Sequence, residues 1–457
     1  MTSNFIVDMK PQTLQKIIFW FFIAFCAALP LVGLAYYLND NAIYFTSTVL
    51  TSFGFFGFLL FLIAITKKEV AIKNNISYPI LLGILLLSTL STLFAVDKSL
   101  ALYGTSGRYE GLLAIIAYGG IFLAGSLIYV KKSKLRLFDM LIFVGIIQSI
   151  IGILQHIPAL EHIIPSLYNR FAITTEAFIA NGLTGSPFFL AALLAMLAGI
   201  AISGAIYDKS IIRRWVYGIS TILFVIAALF TQVIPSLIGI SVAVITICII
   251  EIVRVAKKHT ILSGKILQNP LGRLSIIFIA VVSSALIVFF AGGLKLQDKT
   301  IMYQDSFYRL WITGGESVKD KTPIYEHTWS EGFKLVKEYP ILGAGADCVT
   351  KALYNTTEPP KLATGTIDRP YNEYLYVAIS RGILTLLAYL ALLFFTIRKC
   401  IKSLKLFYSK SSSWIDVAIT TALVAYIVQA FFNMSSITVA PIFWLLLGLA
   451  WSKQQED

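Results

Sequence analysis

Long apolar segments dominate this chain and leave it few folds to adopt. Runs of about 18–25 apolar residues recur along it, each long enough to cross about 30 Å of hydrocarbon as an α-helix. Hydrophobic residues make up 57% of the 457 residues, and charged residues make up 13%. A chain solvated by lipid must satisfy its backbone hydrogen bonds within each segment, so these runs are expected to be helices.

The pattern predicts an all-α, polytopic membrane bundle of about twelve transmembrane helices. The predicted spans are 17–38, 42–66, 78–95, 111–130, 137–156, 187–207, 212–231, 234–254, 274–294, 373–397, 415–432 and 437–452. One large polar loop at 295–372 interrupts them. The chain is therefore divided into an N-terminal membrane region at 1–294, this loop, and a C-terminal membrane region at 373–457.

Basic residues indicate the orientation. They concentrate in alternate connections, whereas the opposite connections between the spans hold only Lys98, Arg108 and Arg170. By the positive-inside rule, the basic connections and both termini are cytoplasmic, and loop 295–372 lies outside a plasma membrane. The net charge of +13 is thus a topology signal, and no nucleic-acid partner is expected. The histidines and cysteines lack metal-ligand spacing, so neither a metal nor another cofactor is expected.

Three polar connections share the predicted outer side, which predicts one external site there. They are 96–110, 157–186 and the loop at 295–372. Within the loop, apolar residues at helical spacing over 329–338 predict an amphipathic helix, which Tyr339-Pro340 ends.

Four arginines are candidate ligands for a phosphate or carboxylate, because a guanidinium group binds such anions through paired hydrogen bonds. They are Arg108, Arg170, Arg309 and Arg369. Three of them also have an ordinary interpretation: Arg108 as an anchor at the membrane interface, Arg170 as an exposed surface arginine, and Arg309 as a surface cation packed on aromatic rings.

The polar loop also holds candidates for acid–base chemistry. His327, preceded by Glu326, has an intrinsic pKa suited to a general base, although a lone histidine is more often structural. Asn372 and Glu373 start the next apolar segment. A helix cap at Asn372 and a favourable helix dipole at Glu373 explain both residues equally well.

Three stretches of this chain resemble motifs of the O-antigen ligase / O-antigen polymerase superfamily. The first is Lys-Glu-Tyr-Pro-Ile-Leu-Gly-Ala-Gly at 337–345. The second is Asp-Arg-Pro-Tyr-Asn-Glu-Tyr-Leu at 368–375, followed by Gly-Ile-Leu at 382–384. The third is Gly-Thr-Ser-Gly-Arg-Tyr-Glu-Gly-Leu at 104–112. Asn-Gly-Leu-Thr-Gly-Ser-Pro at 181–187 is a weaker similarity.

The resemblance implies transfer of a glycan from an undecaprenyl-diphosphate carrier to an acceptor hydroxyl, outside the cytoplasmic membrane and without a metal. The acceptor would be a glycan, a lipid or a protein, and membrane lipids would surround the enzyme. The four arginines, with Asn372 and Glu373, would bind the diphosphate or the glycan. A nearby base would accept the acceptor's proton.

The chain departs from the family pattern at three places. Tyr371 stands where the family has histidine, 231–236 lacks an expected arginine, and Tyr325 stands where another is expected. The catalytic candidates are Glu326, His327, Asp347 and Tyr371. Two alternatives stay open: a catalytically inactive relative that binds lipid-linked glycan, and a transporter of such a glycan. Polymerase and ligase activities are also not distinguished.

Overall fold

A computed structural model of the protein describes residues 11–38, 42–67, 75–105, 108–155, 180–231, 233–258, 270, 272–273, 275, 324–355, 369–408 and 414–453. No strand occurs among these residues, so the all-helical class predicted from the sequence is confirmed for them. The predicted span 274–294 falls outside the described residues, apart from Ser275.

The described helices follow the predicted apolar segments closely. They are α1 (Pro11–Leu38), α2 (Ala42–Thr66), α3 (Ser77–Leu93), α4 (Lys98–Tyr103), α5 (Leu112–Ser126), α6 (Lys131–Gln155), α7 (Pro187–Tyr207), α8 (Ile211–Phe230), α9 (Ile234–Lys258), α10 (Ile324–Glu338), α11 (Val349–Asn355), α12 (Glu373–Tyr408), α13 (Trp414–Gln429) and α14 (Ala440–Trp451). The predicted amphipathic helix at 329–338 is confirmed as the later part of α10.

The chain has the helices of an integral membrane protein. Six of the described helices are long and apolar enough to cross a membrane, namely α2, α6, α7, α8, α9 and α12. Shorter apolar stretches lie in α1, α3, α5, α13 and α14. Many large apolar side chains on the outside of α3, α8 and α12 are exposed, as expected for surfaces that face lipid rather than water.

Helix α7 is the centre of the bundle. It contacts α6, α8, α9 and α13, and 94% of its most apolar stretch is buried. A helix that is apolar on every side belongs in the interior of a bundle. Its many alanines and glycines let neighbouring backbones approach closely, which is how helices pack in lipid without a hydrophobic driving force.

The bundle has two chemically different ends. At one end, called here the basic end, the Lys134 ammonium donates to the Ser452 hydroxyl at 2.6 Å, and Arg213 pairs with Asp139 at 2.9 Å. The basic connections predicted to be cytoplasmic join the helices at this end. The opposite end, called here the site end, carries the starts of α5, α7, α12 and α14 and the connections between residues 94 and 111.

Helix α10 packs on the start of α12 at the site end. Its apolar side, which includes Trp329 and Leu335, lies against Leu375 and Ile379. The Trp329 indole donates to the carbonyl of Pro370 at 2.8 Å. The polar loop is therefore joined to the membrane helices by apolar packing and by a defined hydrogen bond.

Candidate functional site

The three stretches that carry the family resemblance meet at the site end. The backbone N–H of Ala344 donates to the Ile379 carbonyl at 2.8 Å, and that of Gly345 donates to the Ser380 carbonyl at 2.9 Å. The N–H of Thr105 donates to the Asp347 carboxylate at 2.6 Å. Segments far apart in the sequence thus form one hydrogen-bonded structure at the site end. The 157–186 connection, predicted to lie beside them, is described only from residue 180.

A break in α12 makes this junction possible. Gly382 has a φ of +83°, which interrupts the helical conformation and leaves nearby carbonyls free to accept from the 344–345 segment. On the far side of the break, Ile383 donates to the Pro340 carbonyl at 2.9 Å. A Cβ atom on Gly382 would lie 2.0 Å from the carbonyl oxygen of Ile341. Only glycine satisfies both the conformation and the close approach.

Four ionisable residues form the charge cluster, defined here as Arg108, Glu110, Asp347 and Arg369. Arg369 is central and its side chain is 2% exposed. Its guanidinium group donates to the Glu110 carboxylate, lies 3.7 Å from Asp347, and donates to the Ser435 carbonyl at 2.6 Å. Buried charges need such compensation, because taking them out of water is costly.

Asp347 links the two arginines of the charge cluster. Its carboxylate lies 3.8 Å from Arg108 and also accepts from the Tyr376 hydroxyl at 3.3 Å. Its backbone has a φ of +56°, a left-handed conformation that Asp tolerates better than most residues. Its side chain is 1% exposed. Asp347 therefore orients the arginines and is shielded from a large substrate.

Arg108 is the accessible member of the charge cluster, because its side chain is 17% exposed. Burial, followed by the positive charge of Arg369, lowers the pKa of Arg108. Arginine nonetheless stays protonated in proteins. Because Arg108 is reachable from outside and lies as far as 3.8 Å from Asp347, its guanidinium group can donate paired hydrogen bonds to an incoming anion.

In the buried pair of Arg369 and Glu110, each charge stabilises the ionised form of the other group. Burial alone would lower the pKa of Arg369, but Glu110, Tyr376 and Asp347 hold it above its ordinary value. Burial raises the pKa of Glu110, while Arg369 opposes that rise. The arginine therefore remains a cation, and the carboxyl group depends on it to stay ionised.

Tyr371 lies beside the charge cluster with its ring 5.2 Å from that of Phe188. Burial raises its pKa, although the charges of Arg108 and Arg369 oppose the shift. Its ordinary pKa is already about 10. The phenol is therefore protonated at neutral pH and can donate a hydrogen bond, but it is a poor general base.

Two further candidates have their hydrogen-bond partners outside the charge cluster. Asn372 accepts from the Leu375 N–H at 3.0 Å and thus caps α12, as its ordinary interpretation predicts. The Glu373 carboxylate accepts from the hydroxyls of Tyr389 at 2.7 Å and Tyr426 at 2.9 Å. Arg170 and Arg309 lie outside the described residues, as do the side chains of Glu326 and His327.

Glu110 and Tyr376 are site residues that sequence reasoning missed. Glu110 belongs to the quoted 104–112 stretch and stands just before an apolar span. An acidic residue at such a position is a functional candidate by itself, and it could have been chosen on that ground. Tyr376 carries no comparable signal. Its ring lies 4.9 Å from the Arg369 guanidinium, a cation–π contact that only the folded chain reveals.

No group of three or more histidine, cysteine or acidic side chains among the described residues could hold a metal ion. Both carboxylates of the charge cluster are engaged with arginines. Compared with models of known protein families and with curated proteins, the chain gives no match.

Asp97 connects α4 to α11 beside the charge cluster, and its substitution is a first test of this part of the structure. Its carboxylate accepts from the Leu100 N–H at 3.0 Å, capping α4, and from the Lys351 ammonium. These two contacts lower its pKa, the Leu100 N–H having the larger effect. Asp97→Ala is expected to cost about 1 kcal/mol through the lost cap. The thermal midpoint of the purified protein in detergent would measure the loss.

The pH dependence separates the charge of Asp97 from its capping. A carboxylate whose pKa is lowered by folding contributes stability above its unfolded pKa, near 3.8, and loses it as the pH falls through the folded value. Asp97→Asn retains a capping oxygen without the charge. The difference in thermal midpoint between wild type and Asp97→Asn should therefore shrink as the pH falls below about 4. A constant difference from pH 3 to pH 7 would contradict this explanation.

Proposed function

We propose that this protein transfers a glycan from an undecaprenyl-diphosphate carrier to an acceptor hydroxyl at the outer face of the cytoplasmic membrane. The observation that carries the proposal is the accessible Arg108 in the charge cluster, at the end of an apolar helical bundle. A lipid-linked donor must keep its tail in the bilayer while its diphosphate meets cations at the surface. The meeting of the three stretches similar to the ligase and polymerase motifs supports the same reaction.

The proposed topology follows from the two ends of the bundle. The positive-inside rule assigns the basic end to the cytoplasm and the site end to the outside. Helix α1 begins at the basic end and helix α14 ends there, so both chain termini would be cytoplasmic. With 274–294 as a further span, the six long helices and the five shorter apolar helices would make about twelve crossings.

In the proposed reaction, the acceptor hydroxyl oxygen attacks the anomeric carbon of the donor. The bond between that carbon and the phosphate oxygen breaks, and undecaprenyl diphosphate leaves with the electron pair. Arg108, backed by Arg369, would neutralise the charge that develops on the diphosphate. His327 and Glu326 on α10 are the candidates to take the hydroxyl proton, since Tyr371 is a poor base.

Substitution of Arg108 tests the proposal. Arg108→Ala should reduce glycan transfer by about 100-fold or more, the usual effect of removing one group that stabilises a developing charge. Arg108→Lys keeps the charge without the paired geometry and should retain part of the activity. The measurement is a gel profile of surface and lipid-linked glycan in cells that carry each variant or lack the protein.

Lys98→Ala is the matched control, because Lys98 is an exposed cation at the same end of the bundle. It should leave the glycan profile unchanged. Loss of long chains with short lipid-linked units remaining would indicate a polymerase, and long chains retained on the lipid would indicate a ligase. An unchanged profile in Arg108→Ala cells, with the protein inserted normally, would refute the proposed transfer.

A further inference from the structure

A second polar feature lies at the basic end, far from the charge cluster. A cavity of about 650 Å³ opens there among the start of α3, the residues that follow α5, and the final turns of α12 and α14. It is called here the basic cavity. Its polar and aromatic lining includes Tyr78, Tyr129, Arg398, Lys399, Lys402 and Trp451. The proposed glycan transfer does not use this cavity.

The lining of the basic cavity has one sign of charge. Lys453 joins the three cations from α12, and no acidic residue is among the lining residues. In the part of the chain that the structure describes, Arg398, Lys399 and Lys402 have no carboxylate within ion-pairing distance. Like charges four residues apart, such as Arg398 and Lys402, repel each other on a helix. A bound anion would relieve this repulsion.

A buried ammonium group lies directly behind the wall of the cavity. The Lys134 side chain is 6% exposed and donates to the hydroxyl of Ser452, a lining residue. The described residues place no carboxylate in an ion pair with Lys134. The Asp416 carboxylate attracts Lys134 only from beyond ion-pair distance, and a buried charge without a counterion in contact is costly. Lys134 therefore adds to the positive field that a bound anion would neutralise.

The rest of the lining favours an amphipathic ligand. Ile76, Leu127 and Phe395 supply apolar surface, and the neighbouring Phe394 is 63% exposed on the outside of α12. The Lys399 ammonium lies 4.7 Å from the Trp451 ring, and that indole is held by a 2.8 Å hydrogen bond to Thr396. Aromatic rings beside cations at the end of a membrane helix are typical of the level of lipid headgroups.

We propose that the basic cavity binds the phosphate headgroup of an anionic phospholipid, with the acyl chains lying along the apolar outer surface of α3 and α12. Basic sites between membrane helices on the cytoplasmic side are suited to such headgroups. The site would anchor the basic end at a fixed depth in its leaflet.

The test compares purified protein in mixed micelles that contain phosphatidylglycerol or phosphatidylcholine. Lipid binding is titrated by native mass spectrometry, and stability is followed as the thermal midpoint. Phosphatidylglycerol should bind the wild type and raise its midpoint, whereas phosphatidylcholine should not. Arg398→Gln/Lys402→Gln should bind phosphatidylglycerol at least about tenfold more weakly, because each cation near a lipid surface contributes about 1 kcal/mol.

The matched control is Lys132→Gln/Arg136→Gln, which removes two exposed cations from the same end of the bundle but outside the cavity. It should bind phosphatidylglycerol like the wild type. If the double variant is unstable in phosphatidylcholine, Lys402→Gln alone, at an exposed position, replaces it. The single variant should also bind phosphatidylglycerol more weakly than the wild type. Equal weakening in the control would overturn the proposal, since binding would then reflect general surface charge. Inorganic pyrophosphate binding as tightly as the lipid would also overturn it, because the ligand would then be a free phosphate.

Discussion

Replacing Arg369 by methionine is expected to destabilise the protein by about 3–5 kcal/mol, the usual cost of breaking a buried ion pair from one side. The substitution leaves the Glu110 and Asp347 carboxylates buried without their shared cation. It also removes the hydrogen bond to the Ser435 carbonyl. The free energy of unfolding in mixed micelles, obtained by denaturant titration, would measure the loss.

The variant should also acquire a distinct pH dependence. Burial already raises the pKa of Glu110, and removal of Arg369 takes away a charge that opposes this rise. A carboxyl group whose folded pKa is raised favours folding when protonated, and this contribution is lost as the pH increases through the folded pKa. Arg369→Met should therefore recover part of its stability at low pH. Adding Glu110→Gln should recover part of it at neutral pH.

Arg213→Met is the matched control for this experiment. Arg213 pairs with Asp139 at 2.9 Å at the basic end, where the two side chains are 36% and 37% exposed. Its second partner, the buried Asp208, lies farther away, at 4.0 Å. Solvent screens such a pair, so its loss should cost at most about 1 kcal/mol. If the Arg369 and Arg213 variants lose similar free energies of unfolding, burial of the charge cluster does not make its ion pairs more important than an exposed pair.

Gly382→Ala is expected to disrupt the junction between α12 and the 340–347 segment. The backbone conformation at Gly382, with φ +83° and ψ +167°, alone costs a residue with a Cβ about 1–3 kcal/mol. The new Cβ would also lie 2.0 Å from the Ile341 carbonyl oxygen, so that backbone must move. Because Asp347 is carried on the displaced segment, we expect the thermal midpoint to fall and glycan transfer to be lost together.

Gly83→Ala provides the comparison, because Gly83 lies in α3 and a Cβ there meets no atom within 4 Å. Alanine is the better helix former by about 0.5–1 kcal/mol, so this variant should be unchanged or slightly more stable. Its glycan transfer should equal that of the wild type. A Gly382→Ala protein as stable and active as Gly83→Ala would show that the break in α12 is not required.

The apolar helices could be predicted from the sequence because each depends on local composition, whereas the short helices α4 and α11 were not predicted. The α12 cap at Asn372 and the amphipathic part of α10 were predicted for the same reason. The break at Gly382 was not predictable, because its cause is a set of hydrogen bonds from the distant 344–345 segment. Sequence patterns also could not place α7 at the centre, since apolar helices at the centre and at the lipid surface have similar composition.

The candidate site was predicted in part. Arg108, Asp347 and Arg369 were chosen individually for their chemistry, and the structure brings them together. Their partner Glu110 was missed although it stands just before an apolar span. Its pairing with Arg369, 259 residues away, leaves no trace in local composition.

The separation of the charge cluster along the chain has a consequence for biosynthesis. Thr105 and Asp347, which hydrogen-bond to each other, are 242 residues apart. Chains are synthesised from the N-terminus, and early parts fold first. Arg108 and Glu110 are therefore synthesised long before the ribosome supplies Asp347 and Arg369. Until then these charges lack the native partners that bury them, so a chain truncated before residue 369 would be a natural substrate for membrane quality control.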